Sequence, residues 1–511
     1  MKLLIKLTIS FFIISLLVTS CLAENIQCGL KTEKNIYNIV SALKENNSLS
    51  QQLSNVNEFY TDQNDIYNRS WYNVSDLQYF GQTAWGCTTN DFNNDGNIDF
   101  AVSSATSPFV YSTISIFYND GKAHFTKVDV FTFHEYINDL DSGDYDKDGD
   151  IDFIFTYDEQ NGSINVYGIT SLLYNNGDNT FINVSIIARR GSGIPYDPEG
   201  RINPAVTTAD FDNDGDLDLL VGDNSGKVEF YLNNGAGNFT SEGIIYDFGD
   251  LSWGLTLADI DHDNHIDFFV SNMNGTIFLK RNNGLPSCFD HDSGEILYDF
   301  NTSYGACSIQ SFDFDDDGKI EFLVGLFDNL YLLHNYSRKW DRLYLGQLPD
   351  SPEGYGDDLS VGDIVIGDFN KDNRTDFITG GVQGVVRLFL RKPGPWVFIS
   401  RPKNGLDYTF DKETVPSLPP VFIGVVGKLT ITVLGSKNIT HVAFYIDNKL
   451  KKIDRQPPFS WTWVLGRPYL VHDPDIKIKT IGYTASDGYC QDQIRIEKTS
   501  VLLYFLIQII S

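Results

Sequence analysis

Residues 144–152 read Asp-Tyr-Asp-Lys-Asp-Gly-Asp-Ile-Asp. Carboxylates set at every second position repel one another unless something cationic joins them. The stretch recurs as DFNNDGNID at 91, DFDNDGDLD at 210, DIDHDNHID at 259, DFDDDGKIE at 313 and DFNKDNRTD at 368. The start-to-start intervals are 53, 66, 49, 54 and 55 residues. Between the loops, runs such as IDFIFTYD, SINVYGITSLLYNN and TFINVSIIA, then LDLLVGD, KVEFYLNNGAGNFT and SEGIIYDF, alternate apolar and polar residues. With Asn-Gly and Gly-Asn turns between them, they read as antiparallel meanders.

A period near fifty is that of a propeller blade, a four-stranded sheet that buries its faces only against neighbours. The fold class expected is therefore all-β, a six- or seven-bladed β-propeller with metal loops. A seventh motif would fall near residue 38 or 420, and neither region carries one. The stretch 69–80, RSWYNVSDLQYF, resembles a fourth strand without a blade. It could complete the blade that ends with VVRLFLR at 385–391, closing the ring and removing its exposed edges. Helical periodicity is confined to Glu33–Leu53, a short helix or a disordered arm.

Loop positions one, three, five and nine carry Asp, Asn or Glu in every copy. The sets are Asp91, Asn93, Asp95 and Asp99; Asp144, Asp146, Asp148 and Asp152; and Asp210, Asp212, Asp214 and Asp218. They continue with Asp259, Asp261, Asp263 and Asp267; Asp313, Asp315, Asp317 and Glu321; and Asp368, Asn370, Asp372 and Asp376. Oxygen donors at alternate positions, with a backbone carbonyl at position seven, wrap a hard cation that takes six to eight oxygens. Thiolate and imidazole are missing from those positions, so Ca2+ fits better than a softer metal. Up to six ions are expected.

Position six is Gly96, Gly149, Gly215, Asn264, Gly318 and Asn373, the residue types that enter the left-handed region most readily. Position seven is Asn97, Asp150, Asp216, His265, Lys319 and Arg374. Those share no chemistry, as expected if only the carbonyl binds. Position eight, apolar except for Thr375, and position ten, always Phe or Leu, are expected to begin the next strand and face the core. Val102 and Phe155 stand where an EF-hand needs Glu, so these are strand-loop-strand sites. The loops at 259 and 368, with Asn at position six, are expected to be the weak ones.

These loops and their flanks resemble FG-GAP or VCBS repeats, as in the integrin α-subunit head and many bacterial and archaeal surface proteins. Trp85-Gly86 and Trp253-Gly254 precede their loops at equal offsets, and YLNNGAGNFT resembles the family's inter-strand turn. The resemblance covers about residues 65–395. It implies a ring of blades, usually seven, with calcium loops on one face and ligand contacts often on the other. Relatives include adhesion receptors, lectins and accessory modules of polysaccharide-degrading enzymes.

The remainder, 398–511, alternates in FISRPKNG, KLTITVLG and HVAFYIDNKLKKID, as a small β-sandwich would, and resembles bacterial immunoglobulin-like modules. Trp461 and Trp463 are expected to divide between core and surface. VLLYFLIQII at 501–510 is too short to span a membrane and reads as a last strand. At the other end, Lys2 and Lys6 precede an apolar run, Leu7–Val18, the anatomy of a secretory signal over 1–23, followed by an arm at 24–64. Val18-Thr19-Ser20-Cys21 also reads as a lipoprotein box, which would leave a lipid anchor on Cys21. Eleven N-x-S/T sequons fit an exported glycoprotein. The six cysteines are too scattered for a disulfide framework, with Cys87 and Cys307 read as buried apolar residues and a Cys288–Cys307 bridge open.

A net charge of −30 repels a phosphate backbone and argues against nucleic acid. No G-x-S-x-G, H-E-x-x-H, P-loop or dinucleotide motif occurs, so no catalytic residue is assigned. The function expected is a secreted or cell-surface calcium-binding adhesion or ligand-binding module for an extracellular protein or glycan. The alternative is an accessory or catalytic propeller of a polysaccharide-degrading enzyme, a lyase or hydrolase. Trp85, Tyr136, Trp253 and Tyr304, ahead of the inner strands and away from the loops, are the candidate ligand contacts.

Overall fold

The computed structural model describes residues 72–81, 83–105, 111–161, 165–177, 180–191, 205–223, 225–249, 252–272, 274–284, 287–289, 294–300, 306–314, 318–326, 329–336, 339–347, 361–381, 384–401, 406–409, 412–416, 424–426, 428–464, 473–486 and 488–498. All belong to one unit, 64–511. The leader, the arm with its Glu33–Leu53 segment, Cys21 and the 501–510 tail lie outside the described residues. Among the described residues, no helix is long and apolar enough to cross a membrane.

Six four-stranded antiparallel sheets account for most of the unit. Each begins with a first strand that runs into an acidic loop: Ala84–Asn90, Ile137–Gly143, Val206–Ala209, Ser252–Ala258, Ala306–Phe312 and Val361–Gly367. We number the sheets one to six in that order. Neighbouring first strands touch in succession, and the first strand of sheet six touches that of sheet one.

Sheet six draws only three strands from its own stretch, ending with Val385–Arg391, and its fourth is Tyr72–Tyr79 from the beginning of the described chain. The pairing is antiparallel, Tyr72 opposite Arg391 and Tyr79 opposite Val385. The Tyr72 ring stands edge-on to Phe377, with centroids 5.0 Å apart. The strand expected from 69–80 is therefore present, paired with the predicted stretch 385–391.

The second strands explain why the sheets stack. DFAVSSA, DLLVG and EFLVGL are buried at every position, as continuous apolar runs are when both faces are covered. Fourth strands such as FTKVDVFTF alternate between half-buried and exposed instead. Six apolar clusters result, each drawing on two neighbouring sheets. Cys87 is buried in the cluster between sheets six and one. Cys288 is a free thiol packed among Phe211, Phe230, Phe268 and Phe289, so the bridge to Cys307 that the sequence left open is not formed.

Beyond Arg391 the chain forms a three-stranded sheet (Val397–Arg401, Lys428–Gly435, Phe459–Val464) and a seven-stranded one. The latter orders Lys412–Pro416, Leu406–Thr409, Gly424–Val426, Tyr489–Lys498, Asp473–Thr484, Ile439–Ile446 and Lys449–Asp454, with Gly424–Val426 parallel to both neighbours. The two sheets share one core, with Ile431 and Val433 from the first and Phe444 and Ile478 from the second. Strand alternation places Val397 and Ile399 in that core. Trp396 and Phe398 instead join the cluster between sheets five and six. Trp461 and Trp463 do not divide between core and surface: two positions apart on one strand, both are half-buried against the same core.

Candidate functional site

The acidic loops share one hydrogen-bonding plan. The position-one carboxylate accepts the position-six N–H in all six, with Gly96 to Asp91 at 2.7 Å and Gly215 to Asp210 at 3.0 Å. The position-five carboxylate accepts the position-seven N–H, as Asn97 to Asp95 at 2.8 Å. For the chain to turn back so tightly, position six must be left-handed. Gly96, Gly149, Gly215, Asn264, Gly318 and Asn373 have φ of 81°, 96°, 91°, 70°, 84° and 60°. Asn94, Lys147, Asn213, His262 and Lys371, all at position four, are left-handed too. Sequence reasoning missed them, because those side chains share no type.

Position nine is the most deeply set. Asp99, Asp152, Asp218, Asp267 and Asp376 are almost wholly buried. One oxygen takes the position-two N–H, as Phe211 to Asp218 at 3.2 Å. The other takes an N–H from the third strand's end, as Asn233 to Asp218 at 2.9 Å. Burial pushes these acids up, Asp99 and Asp267 to about 6 and Asp152, Asp218 and Asp376 to about 7. Position ten is buried throughout. Position eight faces the core as expected at Ile151, Leu217, Ile266 and Ile320, which pack half-buried against the apolar clusters, whereas Ile98 is 36% exposed and lies at the seam beside Gly367 of sheet six.

Three loops gather carboxylate oxygens within 4.8 Å of one another: Asp144, Asp146 and Asp152; Asp210, Asp212 and Asp218; and Asp259, Asp261 and Asp263. In the third loop Asp210 Oδ1 is enclosed without a hydrogen-bond partner. An enclosed anionic oxygen with no donor is strongly unfavourable unless a cation meets it. Together with an all-oxygen donor set, this fits a hard divalent ion. The loops at 259 and 368 differ, for Arg281 sits on Asp261 at 2.5 Å and Arg374 on Asp372, so a guanidinium competes there for a donor. Three position-seven side chains turn away to other partners, Asp216 to Lys147, His265 to Asn213 and Asn97 to Asn119 O, whereas Arg374 folds back on its own loop. Asp315 and Asp317 lie outside the described residues.

Along the first strands lies a cavity of about 190 Å³ lined from all six sheets. It brings together Trp85 and Tyr136 with Asp139, Asp141 and Asp363. Tyr304 lies outside the described residues, as does the side chain of Trp253. The carboxylates stitch neighbouring first strands: Asp139 accepts Val206 N–H and Asp141 accepts Thr208 N–H, each at 2.8 Å, and Asp363 accepts Cys87 N–H at 3.0 Å. Burial and mutual repulsion hold Asp139 far above the usual range, while burial pushes Asp141 and Asp363 up to about 6. None of these three carries a sequence signature. The Trp-Gly pairs do have a cause: a Cβ on Gly86 would lie 2.7 Å from Leu140 N, so glycine lets two first strands approach.

The fold and site define an all-β repeat protein whose sheets each carry an acidic loop, three of which gather carboxylates within 4.8 Å. Residues 91–155, 144–221 and 210–270 match the FG-GAP-like repeat, so the first part of the array carries three such repeats. No curated protein matches the chain. Solved structures do, among them "Crystal structure of BBS1N in complex with ARL6DN, soaked with mercury", 12% identical over 62% of this chain and 97% of that one, with a TM-score of 0.35.

Proposed function

We infer that the chain is an exported, calcium-stabilised ligand-binding module, in which six sheets form a six-bladed propeller and the C-terminal pair of sheets an immunoglobulin-like domain. The ions are structural. Asp210, Asp212, Asp214 and Asp218 hold one, the corresponding residues of the other loops hold up to five more, and each pins a first strand to a second. The enclosed, partnerless Oδ1 of Asp210 carries the calcium reading. Extracellular placement is supported by the apolar leader after Lys2 and Lys6 and by the sequons.

For the ligand, Trp85 and Tyr136, at the ends of their first strands away from the loops, line a polar cavity that runs along those strands. Aromatic faces there suit stacking on a sugar ring or anchoring a protein side chain. Adhesion to an extracellular glycan or protein is the function this supports. An array of glycans and matrix proteins, probed with the purified chain in calcium and in chelator, tests it. Binding lost on Trp85→Ala in a folded variant is expected, and binding indifferent to Trp85 overturns the assignment of this cavity.

A further inference from the structure

At the end of the third strand, sheets one, three and four carry Asn119, Asn233 and Asn282. Each sends Nδ2 to the main-chain oxygen of the neighbouring loop's second residue, at 2.8 Å in every case. Sheet six has Arg391 there, and its N–H keeps the main-chain half of the arrangement, donating to Asp376 Oδ1 at 2.7 Å. The side chain does something else. Its guanidinium lies over the ring of Phe314, the fifth loop's second residue, 4.9 Å from the centroid. Only 7% of Arg391 is exposed, and Nη1 is enclosed without a hydrogen-bond partner.

A guanidinium stays charged at any ordinary pH, and an enclosed cationic nitrogen without an acceptor is unfavourable. Arg391 lines a cavity of about 40 Å³ with Phe314, Lys392, Gly394, Trp396 and Cys490. That is room for roughly one to three water-sized groups. Among the described residues, two cationic ones line it and no carboxylate does. The Cys490 thiol, pushed up to about 12 by burial, stays neutral.

We propose that this cavity binds one small monovalent anion, a halide or the carboxylate of an acetate-sized acid, on Arg391 Nη1 with Lys392 adding charge. The site lies at the junction of sheet six with the C-terminal sheets, since Trp396 packs on Phe314 at 5.2 Å and Cys490 comes from Tyr489–Lys498. The bound anion therefore stabilises that junction, independently of calcium.

The test is thermal unfolding of the full chain at fixed calcium and equal ionic strength in sodium chloride, sodium acetate or the sodium salt of a bulky sulfonate buffer. A ligand held only by the folded state raises the midpoint, here by about 2–4 °C over the sulfonate. A rise in chloride alone assigns a halide, and a rise in both assigns the shared chemistry. Arg391→Met should abolish the difference and Arg391→Lys retain part of it. Identical wild-type melts in the three salts, or an unchanged difference in Arg391→Met, overturn the proposal. Should Arg391→Met not fold, broadening by the wild type of the chloride-35 line or of the acetate methyl line, reversed by bromide or by unlabelled competing acid, decides, and no broadening of either overturns it.

Discussion

Asn233 Nδ2 donates at 2.8 Å to the main-chain oxygen of Tyr145, 88 positions earlier on the neighbouring sheet. The same amide reaches Leu217 O, while Asn233 N–H meets Asp218. One side chain thus ties its own loop to the loop before it. Asn233→Ala would strand buried carbonyls, at about 1–3 kcal/mol. Asn234→Ala, on an exposed residue, should stay within about 0.5 kcal/mol. Urea denaturation of both separates the cases, and equal losses would remove the staple from the account.

Much of this was legible because backbone constraints repeat. Position six admits Gly or Asn, and its φ is positive in all six loops. The closing strand at Tyr72–Tyr79 was visible as a strand with no partner of its own. Position eight reads correctly at Ile151, Leu217, Ile266 and Ile320 but not at Ile98, whose apolar side chain covers a seam. In sequence Asn233 reads only as part of a turn, since a residue bridging two sheets has no local pattern. Asp139, Asp141 and Asp363 line one cavity because the first strands of sheets two and six both touch that of sheet one, which no spacing announces.

Asp210→Asn keeps an oxygen for the Gly215 N–H but removes the charge that would meet a cation. Calcium should raise the wild-type melting temperature by several degrees over chelator. In Asp210→Asn, amide exchange across Val206–Asp247 should no longer slow when calcium is added, while the first and second sheets still respond. Uniform protection of all sheets by calcium in this variant would count against separate ions in separate loops.

The cavity acids set a pH dependence. An acid raised on folding ionises more readily in the unfolded chain, so the stability it contributes is full below about pH 4 and is lost as pH rises. With Asp141 and Asp363 pushed up to about 6, their share of the loss falls between roughly pH 4 and 6 in chelator, and Asp139, raised by burial, adds to it in the same direction. Position-nine acids add to it in the same direction until calcium holds them ionised. Asp139→Asn should flatten the fall in melting temperature between pH 4.5 and 7.5 by about 2–4 °C, whatever its offset at one pH. An unaltered slope would show that Asp139 is ionised equally in both states.

Gly96 separates backbone strain from packing, because φ is 81° and a Cβ there would meet nothing within 4 Å. Any cost of a side chain is then conformational. Gly96→Ala should lose about 1–2 kcal/mol, the penalty of an L-residue held left-handed. Gly96→Asn should lose less, since Asn264 and Asn373 occupy the same place at φ 70° and 60°. If the order reverses in chelator, the preference belongs to the ion and not to the chain. If it holds with and without calcium, the loop's turn precedes the metal, and the cation joins carboxylates that the backbone has already set around it.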